Sequence, residues 1–149
     1  MRPDSPRVLF GIAGALVTQI MPEIRTPIAG QTISLSAALL SMVAQEFDRA
    51  ASRQVDENRA IRALLADAHD ILGDEALRGR IKAETADPVE HDLHVSALQV
   101  VNDRLRSLLI DVHAAVEATP GNAAANLNDR IWDELRESTR RRHLASGLA

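Results

Sequence analysis

Apolar positions recur at three- and four-residue steps over most of the chain, the spacing that lines one face of an α-helix. The longest run is Leu35, Leu39, Met42, Val43, Phe47, Ala50, Gln54, Asn58, Ile61, Leu65, Ala68 and Leu72. It keeps its phase throughout, with Pro27 opening the segment and Gly73 standing just past its end. The pattern predicts one helix of roughly 65 Å at 1.5 Å per residue, with Ser52 marking where a break would fall. Ahead of it, Pro6 suits the first turn of a helix that runs to about Ile20 and is stopped by Pro22. Gly11, Gly14 and Ala15 would let another backbone approach closely, but they weaken the helix, so a buried first helix is expected.

Asp74 to Glu84 is polar, carries Gly79 and predicts at most a short helix. Asp87-Pro88-Val89-Glu90 reads as a helix start: a capping Asp, a proline at the first helical position, and Glu three after the cap. The third main helix is expected from there to Ala118, ended by Thr119-Pro120-Gly121-Asn122. The fourth spans about Ala123 to Ala145 along Leu127, Ile131 and Leu135. No segment alternates with period two, so strands are not expected. The prediction is an all-α bundle of about four main helices in one domain over residues 1–149, frayed at 1–5 and 146–149.

Composition narrows the functions such a bundle can carry. The chain has 149 residues, 46% hydrophobic and 26% charged, the balance of a globular protein. Phe10, Phe47 and Trp132 are its only aromatics, which excludes a base-stacking platform for nucleic acid. The absence of Cys removes disulfides, thiolate nucleophiles and thiolate metal sites. A net charge of −4 gives no general attraction to nucleic acid. Val8 to Val17 is uncharged and follows Arg2 and Arg7, imitating a secretory signal. Asp4 in the basic region and the lack of a small-x-small cleavage site before Pro22 count against one. The run also falls short of the about 20 residues of a span. The expectation is a cytoplasmic protein without membrane contact.

An internal repeat carries most of the chemical information. Residues 58–69 and 102–113 match without gaps, with Asn, Arg, Leu, Leu, Asp and His identical at six of twelve positions. At 100° per residue, Asn58, Arg62, Leu65 and His69 share one helical stripe, as do Asn102, Arg106, Leu109 and His113. Both stripes border the apolar arc, while Asp67 and Asp111 point away from it. Three uses fit such a stripe. Asn can fix register while Arg covers apolar surface with its stem. The stripes can converge so that Asn58, Arg62, His69, Asn102, Arg106 and His113 bind a small anion. They can also edge a homodimer contact.

Other chemistry is sparse. Glu90, His91 and His94 could supply three ligands to a divalent ion, and His113 with Glu117 forms a weaker pair. Their position in what reads as a first helical turn makes solvated polar residues the plainer reading, and no cofactor or metal is expected. Glu134 and Glu137 make one acidic pair, where magnesium-dependent bundles use several. No Gly-rich phosphate loop, nucleophile elbow or His-Glu-x-x-His occurs, so no catalytic residue is assigned. Arg140-Arg141-Arg142 suits the negative end of a helix dipole better than a nucleic-acid patch, and Trp132 suits the core or a partner's edge.

Gln31 to Phe47, the turn Glu57-Asn58-Arg59-Ala60, and Leu127 to Leu144 together resemble a family of short bacterial helical proteins. Its members are often encoded beside acyl-CoA dehydrogenases and small-molecule phosphotransferase-like proteins. The family tends to carry a Pro and an aromatic near its end, where this chain has Arg140-Arg141-Arg142. The resemblance brings no catalytic residues with it and implies an accessory role. The expected function is therefore a non-enzymatic scaffold, acting as a homodimer or on a protein partner. A small-anion or acyl-ligand bundle using the stripes comes second, and a metal-dependent enzyme third.

Overall fold

A computed structural model describes residues 4–144 and is all-α, with five α-helices and no strand among the described residues. They are α1 (Ser5–Ala15), α2 (Pro27–His69), α3 (Glu75–Thr85), α4 (Val95–Ala118) and α5 (Asn122–Arg141). A π-helical turn, Leu16–Ile20, and a short 3-10 turn, Met21–Glu23, follow α1. Contacts divide the chain into two compact units. One takes the chain up to Ala50 together with His143 onward; the other is Ala51–Arg142. The boundary falls beside Ser52, although α2 is helical through it.

In the first unit Asp4 caps α1, its carboxylate accepting from the Arg7 N–H at 3.2 Å. Residues 1–3 and 145–149 lie outside the described residues. The expectation of a buried first helix is not met. Of α1 only Ala13 is buried, and Val8, Phe10 and Ile12 are each nearly half exposed. The first turns of α1 lie alongside Ala44 to Arg49 of α2, making an antiparallel hairpin. Ala37 and Ala44 are buried on α2, whereas Ile28, Leu35, Leu39, Val43 and Phe47 are exposed. The hydroxyls of Thr32, Ser34, Ser36 and Ser41 all donate to the carbonyl four residues back. That satisfies the hydroxyls within the helix and leaves the segment with a largely apolar exterior. By length and hydropathy alone this part of α2 could cross a membrane.

In the second unit one core gathers Ile61, Leu65 and Ala68 of α2, Leu77 and Ile81 of α3, Leu105, Leu109 and Val112 of α4, and Leu127 and Ile131 of α5. The Asp74 carboxylate caps α3 through the Ala76 and Leu77 N–H groups. The helix expected from Asp87 begins instead at Val95. Asp87 does accept from the Val89 N–H at 3.1 Å, but in a turn, and Asp92 makes a second turn onto the His94 N–H. Glu90 leaves the surface to pair with buried side chains of α2, which a helix begun at Pro88 would have to forgo.

Gly121, ahead of α5, has φ +114°, where a side chain is strained. Gly121→Ala should cost about 1–3 kcal/mol. Gly79 sits on α3 with nothing near its missing Cβ, so Gly79→Ala should add about 0.5–1 kcal/mol. Melting curves should therefore move in opposite directions for the two variants.

Candidate functional site

Of the repeated polar positions, the two asparagines meet inside the second unit. Asn58 and Asn102 are both buried, and Asn102 Nδ2 donates to Asn58 Oδ1 at 2.9 Å. Asn58 Nδ2 in turn donates to Glu90 Oε1 at 3.1 Å. Gln54, four residues earlier, donates to Gln99 Oε1 at 2.5 Å, continuing a polar seam between α2 and α4. Asn102→Ala would strip Asn58 of its buried donor and open a small cavity. A loss of about 2–3 kcal/mol is expected. A loss under about 0.5 kcal/mol in urea denaturation would show water replacing the amide.

From this pair the two arginines go to different carboxylates. Arg62 Nη1 donates to Glu90 Oε1 at 2.5 Å, with both side chains about nine-tenths buried, and Arg62 Nε reaches the Glu84 carbonyl at 3.4 Å. Arg106 pairs with Glu57, a side chain with no exposed surface. Glu57 also takes two hydrogen bonds from Arg142 Nη2, at 2.8 and 3.0 Å. The histidines are not brought together. His69 is partly exposed, and its Nδ1 faces Asp70 at 2.9 Å. His113 Nε2 lies 2.9 Å from Asn128 Oδ1, and its ring meets Trp132 edge-on at 5.3 Å.

Glu57, Arg106, His113, Glu134 and Ser138 line a cavity of about 80 Å³ between α2, α4 and α5, room for a few waters. Burial pushes the Glu57 carboxyl upward, but the hydrogen bonds and charges of Arg142 and Arg106 outweigh it and hold the group below its ordinary value. Glu134 goes the other way. Burial raises it, Arg141 lowers it only in part, and the negative charges of Glu57 and Glu137 raise it further. The terminal arginines are engaged with carboxylates: Arg140 with Glu137 at 3.2 Å, Arg141 with Glu134, and Arg142 with Glu57. They do more than complement the α5 dipole.

The supposed metal ligands separate. His91 Nε2 pairs with Asp87 at 2.8 Å, His94 with Asp92 at 2.5 Å, and Glu90 turns inward. The His91 hydrogen bond, with the Val89 N–H, holds Asp87 below its ordinary value, and the His94 N–H and ring do the same for Asp92. No group of three potential ligands occurs among the described residues.

Sequence reasoning missed Glu57 and the inward role of Glu90; it placed Asp67 and Asp111 away from the apolar arc, where both are about half exposed, but named no partner for them. Asp67 on α2 pairs with Arg130 on α5 at 2.6 Å, and Asp111 on α4 with Arg80 on α3 at 2.8 Å. A second match was available to find these partners. Residues 77–84 and 127–134 share Leu, Arg, Ile and Glu at four of eight positions, and the shared Arg are Arg80 and Arg130. No family model, curated protein or solved structure matches the chain.

Proposed function

We propose that the protein is a non-catalytic helical interaction protein, with Ala51–Arg142 as a packed helical frame and the exposed face of the N-terminal hairpin as the protein's contact surface. The observation that carries this reading is the inverted hairpin: small Ala37 and Ala44 are buried while Ile28, Leu35, Leu39, Val43 and Phe47 face water. Monomers rarely expose contiguous apolar patches beyond a few hundred Å² without a binding role. The resemblance to helical accessory proteins points the same way.

The anion-binding alternative loses its support because each stripe arginine already has an internal carboxylate. We infer further that the frame is a duplicated helical hairpin, α2–α3 followed by α4–α5. Its support is reciprocal: matched Asn58 and Asn102 bond to each other, while matched Asp67 and Asp111 exchange partners with matched Arg130 and Arg80. On this reading the polar residues recur because each copy needs them to hold the other.

Native mass spectrometry of untagged protein tests the proposal. A protein assembly without small-molecule adduct is expected. A monomer carrying an adduct that Arg106→Gln abolishes would overturn it in favour of the ligand reading.

A further inference from the structure

Resting on that interaction reading, we propose that the exposed face of α2 between Ile28 and Phe47 docks antiparallel onto the same face of a second copy of this chain. At 100° per residue Ile28, Leu35, Leu39, Val43 and Phe47 fall on one arc of about 120°, and buried Ala37 and Ala44 lie on the opposite side. These five side chains alone leave roughly 500 Å² of α2 surface open, the low end of what one partner contributes to an interface.

Self-complementarity selects the second copy. Pairing two such helices antiparallel about a two-fold axis between Ala37 and Ala38 sets small residues against large ones along the middle of the arc: Ser36 faces Leu39, and Thr32 faces Val43. Leu35 comes level with Leu40, which is half-buried at the margin of the arc and leaves room for it. Ile28 then meets Phe47 at each end. A bilayer offers no such match. The flanks of this segment carry Glu23, Glu46 and Asp48 against Arg25 and Arg49, with no basic excess to meet anionic lipid.

The absence of cysteine makes the register directly testable. Leu39→Cys lies beside the proposed axis and should form an intermolecular disulfide on mild oxidation. Ile28→Cys, whose two copies would stand about 28 Å apart, should not. Sedimentation should give twice the monomer mass, and Leu35→Gln/Leu39→Gln should weaken association at least about a hundredfold with its helical circular dichroism unchanged. Cross-linking of both cysteine variants would overturn the antiparallel register. A monomer at roughly 100 µM, far above a micromolar Kd, would overturn the second copy, as would a monomer that co-floats with phosphatidylcholine–phosphatidylglycerol vesicles. Such a monomer free of adduct leaves the interaction reading standing; one carrying a small-molecule adduct brings down both.

Discussion

Glu57→Gln should lower stability at pH 7 by about 3 kcal/mol, which for a chain of this size moves Tm by roughly 6–12 °C. The glutamine keeps the shape but removes the charge with which Arg106 and Arg142 pair. Both arginines are partly exposed and can turn to water, so the cost sits at the low end for a broken buried pair. The loss should depend on pH in a defined sense. The folded Glu57 carboxyl lies below its ordinary value of 4.5. Its contribution is therefore complete above that value and disappears as pH falls through the depressed folded one. The gap between parent and Glu57→Gln should be widest near neutrality and close in acid. Glu134 has the opposite sign: its raised folded value makes its contribution complete below 4.5 and lost as pH rises through the folded value. Urea denaturation at pH 7 and at pH 3 measures the gap. An equal gap at both would show that Glu57 stabilises by packing rather than by charge.

Helix existence was legible because periodicity and breakers act locally. Pro27 opens α2, and Ala118 closes α4 just ahead of Thr119-Pro120-Gly121, as the pattern predicts. The start of α4 was misread because the residues Asp-Pro-Val-Glu satisfy local capping rules, while Glu90 answers to Arg62, 28 positions away. A capping rule has no access to that competing partner. The stripe itself was legible as a set of polar positions bordering a core, but its partners were not. Arg142, 85 positions from Glu57, reads locally as a charge on a helix end. The exposed hairpin failed for a different reason. Periodicity shows that a helix has an apolar face, but not whether the chain's own residues cover it, and here Ala rather than Leu occupies the covered side.

The Arg62–Glu90 pair separates the structural use of the stripe from the ligand-binding one most sharply. Arg62→Met should cost about 3–5 kcal/mol, because it strands a carboxylate that is nine-tenths buried with only the Asn58 amide beside it. Glu90→Leu should cost a similar amount, leaving the guanidinium with the Glu84 carbonyl alone. The double variant Arg62→Met/Glu90→Leu strands neither charge and replaces the pair with apolar volume. It should be more stable than either single variant and close to the parent. Glu90 also ties the turn between α3 and α4 to α2, so Glu90→Leu should speed amide exchange over residues 86–94, and the double variant should not restore it. Denaturant midpoints of the four proteins close the cycle. Additive losses would mean that the two side chains act independently. A loss below about 1 kcal/mol for Arg62→Met would mean that the guanidinium is dispensable to the frame, and the stripe would again be the first place to look for a bound anion.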